Sequence, residues 1–363
     1  MMSEDSPVDF LRQSFRDLGD QERRQHRELQ VNSRRSTLGE LQNIQKRAVS
    51  SEEVKALADK LKHKSQFTNQ DFLGLNNALI QSEENIVAFF KVQGALHALV
   101  RELLGQNASL QLAAANCCCN LSLGNEKSCL QLTKAAAPYL LSNLDGLNHH
   151  LLEVCAWTLG NLAGCHIKPW EILHSQGLLP KLLQLITSSS SDIIHSVIYA
   201  LTHYVRIGLN SDILDLEQQR NIAVSAHSLM ERDRSSCWLI YLLSCSGDSD
   251  DILLNNSVVV RSLRLLGECN ANQDVLIITA LVRILGNLSV NSSAAEVILK
   301  EPSIVSILCT LLTSPYAHVQ RETLWLIGNL VNHPSKEIQY LVTISNIENI
   351  LEPLLSVALS KVA

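Results

Sequence analysis

From about Gln66 onward, apolar residues return at three- and four-residue intervals, interrupted by short polar stretches, and the whole pattern then repeats. Each helical stretch of this kind has one face to bury. Six copies of the longest stretch align: Asn116-Cys-Cys-Cys-Asn120-Leu-Ser, Trp157-Thr-Leu-Gly-Asn161-Leu-Ala, Tyr199-Ala-Leu-Thr-His203-Tyr-Val, Trp238-Leu-Ile-Tyr-Leu242-Leu-Ser, Arg283-Ile-Leu-Gly-Asn287-Leu-Ser and Trp325-Leu-Ile-Gly-Asn329-Leu-Val. Their last anchors, residues 120, 161, 203, 242, 287 and 329, step by 41, 42, 39, 45 and 42. A period near forty made of helices predicts a solenoid in which each unit packs only on its neighbours. Such a molecule offers a long surface for another chain rather than one catalytic pocket, so the period points to binding.

Within a period the order is short helix, turn, medium helix, polar loop, long helix. Gly94 and Gly177 stand at the corner between the first two helices, where a left-handed residue makes a sharp turn. The same arrangement recurs without glycine around 135–144, 257–266, 302–312 and 346–355, with Pro138, Pro180 and Pro353 early in the second helix. Three helices per unit favour an armadillo array over a HEAT array. The fold expected is therefore all-α, an armadillo-repeat right-handed superhelical solenoid over residues 66–363, with about six complete repeats and partial ones at each end. The last unit either stops raw or is capped by Leu351–Val362.

Composition narrows the picture. Hydrophobic residues make up 46% but aromatics only 4%, so the core is aliphatic. No apolar run approaches the length a membrane helix needs, and the acidic start Met1-Met-Ser-Glu-Asp does not fit a secretory signal. Ten cysteines are scattered except for Cys117, Cys118 and Cys119, which point in three directions on a helix and form no ligand set; small buried cysteines are expected. His149, His150, His166 and His174 have no completing carboxylate or thiol, and no phosphate loop or nucleophile elbow is present. No enzyme activity, metal or cofactor is expected. The repeats are net acidic, which disfavours nucleic acid.

The charge is uneven, however. Residues 10–47 carry nine Lys/Arg against five Asp/Glu, and too few apolar positions for a core of their own. Residues 1–65 are accordingly read as a basic, largely flexible segment. It is either a solvated tail or a segment that folds on an acidic partner.

The repeats resemble those of importin-α proteins. Trp157 followed by Asn161 looks like the family's tryptophan–asparagine motif, Cys237-Trp238 without an asparagine resembles its fourth repeat, Arg283 with Asn287 its fifth, and Trp325 with Asn329 its sixth. The basic stretch, with Arg23, Arg24, Arg27, Arg34, Arg35, Lys46 and Arg47, resembles a thinned importin-β-binding segment. The chain is also similar to the divergent importin-α relatives called transmembrane and coiled-coil domain-containing proteins. Importin-α proteins carry more repeats than this chain holds.

The resemblance implies a monomeric adaptor of cytoplasm and nucleus, with importin-β and a basic extended cargo segment as partners. Asparagine amides would hold the cargo backbone and neighbouring indoles would flank lysine stems. The implied peptide-binding residues are Asn120, Trp157, Asn161, Tyr199, His203, Trp238, Arg283, Asn287, Trp325 and Asn329. Asparagine suits a helix interior poorly, so its return at one phase favours a surface-lining role over packing for the pairs; removing it should weaken binding and leave stability nearly intact. Departures stand at Asn116, at Tyr199 with His203, and at Cys165-His-Ile-Lys168, where the family has an acidic residue. They leave a diverged scaffold without basic-peptide recognition as the alternative.

Overall fold

Most helices of the repeats start on a small polar residue. In the computed structural model, which describes residues 48–63, 67–188, 190–247, 250–255, 257–270, 273–345 and 347, side chains such as Thr68, Ser82, Asn107, Asn125, Asn148 and Asp215 accept first-turn N–H groups. Each such cap is worth about 1 kcal/mol. The described residues are helical with turns between, and contain no strand.

Two helices, α1 (Ser51–Leu61) and α2 (Asn69–Gln81), open the array. Units then follow as α3 (Glu83–Phe90), α4 (Ala95–Leu103) and α5 (Ala108–Leu121); α6 (Glu126–Asn143) and α7 (His149–Cys165); α8 (Ile167–Ser175), α9 (Leu178–Leu185) and α10 (Ser191–Asn210). The next are α11 (Leu216–His227) and α12 (Ser236–Ser244); α13 (Asp250–Asn255), α14 (Val258–Glu268) and α15 (Val275–Leu288); α16 (Ser292–Lys300), α17 (Ile304–Leu312) and α18 (Ala317–Val331). Helix α19 (Lys336–Ser345) begins another. The third helices α2, α5, α7, α10, α12, α15 and α18 pack each on the next in an unbroken row. Leu99, Leu132, Leu159, Leu201, Ile240, Leu281 and Leu326 lie buried along that row and behind it, giving the aliphatic core that composition implied. Six of the ten cysteines are buried, and burial pushes the Cys118 thiol up to about 12, which keeps it neutral.

Corner geometry follows the glycine expectation and extends it. Gly94 and Gly177 take φ of +85° and +81° directly before α4 and α9. Ser257 takes φ of +58° directly before α14, so an L side chain fills the same left-handed corner. The second unit makes no corner at all. Its first and second helices run together as α6, with Pro138 inside, because no residue there leaves the right-handed region. The expected short helix, turn and medium helix over 135–144 is corrected accordingly.

The expected boundary at residue 65 also moves. Helix α1 buries Val54, Ala58 and Leu61 against the array, and Arg101 donates to the Leu61 and Lys62 carbonyls at 3.1 and 3.4 Å. Lys60 pairs with Asp71 at 2.8 Å. Residues from Ser51 onward thus belong with the repeats. The charged residues 52, 53, 55, 59, 60 and 62 hide the apolar stripe beneath them in a composition count.

The corners can be tested directly. A Cβ at Gly177 would meet nothing within 4 Å, so Gly177→Ala carries only the left-handed backbone cost and should lower stability by about 1–2 kcal/mol. Ser257→Gly should raise it by up to about 1 kcal/mol. Urea unfolding of both variants measures the two signs.

Candidate peptide-binding face of the third helices

The expected binding residues do share one register on successive third helices, but most of them touch each other. Trp157 on α7 and Tyr199 on α10 stack with ring centroids 3.8 Å apart and planes at 30°. The Trp157 Nε1–H donates to Ser196 Oγ at 2.9 Å, and the indole is 6% exposed. Tyr199 Oη donates to Asn161 Oδ1 at 2.6 Å, and Asn161 Nδ2 donates to Ser122 Oγ at 3.0 Å. Tyr199 meets His203 edge-on at 4.4 Å. One continuous chain of contacts therefore links α5, α7 and α10.

Glycine makes this closeness possible. A Cβ at Gly160 would lie 2.8 Å from the Ala200 Cα and 3.1 Å from Tyr199 Cδ1; one at Gly286 would lie 2.5 Å from Trp325 Cζ3. The glycine before Asn161 and the glycine before Asn287 are thus each a seat for the next repeat's ring. Gly164 seats His203 in the same way, at 2.9 Å.

The asparagines form a second cross-repeat system. Asn120 Nδ2 donates to Asn76 O and Oδ1 at 3.0 and 3.1 Å, Asn287 Nδ2 to Ser244 Oγ at 2.8 Å, and Asn329 Nδ2 to Gly286 O at 2.9 Å. Asn120 and Asn161 are buried, at 1% and 0% exposure. This corrects the surface-lining expectation for these two and for Trp157. A buried amide must be satisfied, and here the preceding third helix satisfies it. Their single phase reflects the repeat-to-repeat interface. A signal was present in the sequence, since serine follows the anchor by two places at Ser122, Ser244 and Ser289. The first two of these accept the next repeat's asparagine.

Farther along, Trp238 is half-buried on α12 and meets Tyr241 edge-on at 5.7 Å. The Arg283 guanidinium lies 5.8 Å from the Trp238 ring centre and 5.3 Å from that of Tyr241, and pairs with Glu322 at 2.9 Å. Burial alone would lower the Arg283 pKa; Glu322 and Tyr241 outweigh it and hold it above the ordinary value. Burial also pushes the Tyr241 hydroxyl up to about 12, so it stays neutral. Trp325, seated on Gly286, is 44% exposed and Asn329 is half-buried. The basic residues Arg23, Arg24, Arg27, Arg34, Arg35, Lys46 and Arg47 lie outside the described residues. Among the described residues no cluster of three or more His, Cys, Asp or Glu could hold a metal ion, and no helix is long and apolar enough to cross a membrane.

Comparison with known proteins agrees with this architecture. The Armadillo/beta-catenin-like repeat family matches residues 293–331, which hold α17, α18 and most of α16. Importin subunit alpha-9 of Arabidopsis thaliana is 26% identical over 252 residues, 65% of this chain and 48% of that protein. The chain is similar in sequence to an importin alpha subunit, and its fold is an all-α armadillo-repeat solenoid. A crystal structure of an engineered protein shares the fold, with a TM-score of 0.63 at 20% identity over 76% of this chain and 68% of that one. The match to the curated relative spans about half of that relative's length.

The amide system of this armadillo chain predicts a stability effect opposite to the one expected from sequence. Asn161→Ala leaves the Tyr199 hydroxyl and Ser122 without their shared partner, and should cost about 1–3 kcal/mol. Asn329→Ala, at a half-buried site with one bond, should cost about 0.5–1.5 kcal/mol. Chemical melts read both, and a cycle with Tyr199→Phe isolates the Tyr199–Asn161 bond.

Proposed function

We propose that the protein is an importin-alpha-like adaptor. It holds an extended segment of a protein partner along the third-helix row and contacts importin-β through the basic residues of its N-terminal segment, in protein import into the nucleus. Its working compartments are then cytoplasm and nucleus. The observation that carries this reading is the unbroken row of third helices, with aromatic, guanidinium and amide groups returning at one register. Likeness to importin subunit alpha-9 supports it. Trp325 is the anchor assigned to the partner, because its indole keeps 44% of its surface open while its inner face rests on Gly286. The partner is a protein segment rather than nucleic acid, given the chain's net charge of −6.

A second reading is favoured by the central repeats. There the Trp157, Tyr199 and Asn161 side chains are engaged with one another. A scaffold that kept the fold and binds partners without lysine recognition fits that arrangement.

Two experiments separate these readings. Reversing Arg23, Arg24, Arg27, Arg34 and Arg35 to Glu in the full chain should abolish capture of importin-β, and capture by the unaltered chain should weaken with salt. Substitution is the sounder test, since deletion of residues 1–60 would remove most of packed helix α1. Unchanged capture by the reversed chain leaves a solvated tail. Trp325→Ala should weaken titrated binding of a lysine-rich extended peptide about 2- to 30-fold, the span of a cation–π contact. Equal binding by Trp325→Ala and the unaltered chain favours the scaffold.

A further inference from the structure

Tyr199 occupies the space that a lysine stem would need. Carbon atoms in contact stand about 3.5–4.0 Å apart, so two rings flanking an alkyl chain must be separated by roughly 7–8 Å. The Trp157 and Tyr199 centroids are 3.8 Å apart. Nothing wider than direct ring contact fits between them.

The tyrosine is also fixed there rather than resting loosely. Its ring edge lies over Gly160, where a Cβ would come within 3.1 Å of Cδ1. Its hydroxyl donates to Asn161 at 2.6 Å, and Asn161 is held in turn by Ser122. His203 abuts its edge at 4.4 Å. Swinging the ring aside would break the stack and the hydrogen bond together, and the seat under it would empty. Beyond it, His195 lies 6.2 Å from the Trp157 ring and pairs with Asp233 at 2.7 Å, so that carboxylate is already engaged.

We propose that Tyr199 is the specificity-determining residue of this face: a built-in occupant that closes the Trp157 slot to lysine side chains. Partner segments crossing α7 and α10 are then chosen for small or uncharged side chains, while a cation is accepted only elsewhere along the row. The inference rests on reading the third-helix row as a segment-binding surface.

The test titrates one fluorescent lysine-rich extended peptide into the full chain, Tyr199→Ala, and the double variant Tyr199→Ala with Trp157→Ala. Opening the slot should tighten binding about 2- to 30-fold in Tyr199→Ala, the span of a cation–π contact. The double variant should lose that gain, because the indole that would receive the stem is gone. Tyr199→Phe keeps the ring and should show no gain. If Tyr199→Ala unfolds by circular dichroism, Tyr199→Thr keeps a side chain over Gly160 without a ring over Trp157 and should show the same gain. Equal or weaker binding by the folded small-residue variant overturns the proposal, as does a gain that survives in the double variant. A full chain that binds no peptide beside a Tyr199→Ala variant that does supports the inference and counts against the carrier reading. Failure of the carrier reading alone shows instead in importin-β capture.

Discussion

The closeness of successive third helices is the constraint on which the rest depends. At Gly160 the neighbouring backbone comes so near that a Cβ would lie 2.8 Å from Ala200 Cα, and at Gly286 the seat is filled by Trp325. Helices usually approach to distances set by side chains. Here a missing side chain lets a ring lie close against the helix. The same closeness brings an amide within reach of the preceding helix, as in Asn329 to Gly286 O at 2.9 Å. In a solenoid, stability is a sum of such nearest-neighbour terms, so the Gly160–Asn161 and Gly286–Asn287 pairs each govern one joint of the array.

That arrangement sets a conflict between holding the array together and holding a partner. An asparagine buried between two helices is stabilising only if satisfied, since an unpaired buried amide costs about 1–3 kcal/mol. Asn161 resolves this by using both ends of its amide within the chain, toward Ser122 and Tyr199. The amide group so used is lost to a peptide backbone. Stacked aromatic pairs add roughly 0.5–1.5 kcal/mol beyond area burial, so the Trp157–Tyr199 pair makes this joint firmer.

The repeat architecture was legible because it depends on periodicity, which survives wide sequence variation. Corner positions were legible where glycine marks them, at 94 and 177, and also at Ser257, which the repeat phase located although its residue type does not announce a left-handed backbone. The merger of two helices into α6 was hidden, since nothing in Ala135–Leu144 distinguishes a helix that turns from one that continues. The role of the asparagines is hidden in the sequence for a physical reason. Polar residues at a fixed helical phase mark either a wet surface or a satisfied interface, and sequence phase alone does not separate them. The partner serines at 122 and 244 do, because a donor and an acceptor spaced one repeat apart imply a bond between repeats. Helix α1 is hidden in the sequence because Val54, Ala58 and Leu61 form a stripe only three residues long among charges.

What Trp157 and Trp238 do is set by the residue about one repeat farther on. Trp157 is followed 42 residues later by Tyr199, and a ring meets a ring. Trp238 is followed 45 residues later by Arg283, and a guanidinium lies over the indole instead. The two joints differ in kind. Ring stacking carries no net charge, so the proposed closure of the Trp157 slot does not depend on ionic strength. The Arg283 joint is electrostatic, and Glu322 anchors the guanidinium at 2.9 Å from the opposite helix. An incoming lysine would have to displace a cation already paired and partly desolvated, and an ammonium gives up hydration more reluctantly than a guanidinium. Both aromatic faces are therefore occupied from within, one by shape and one by charge. On the proposed adaptor reading, a partner's basic side chains would find their contacts where the following helix presents neither.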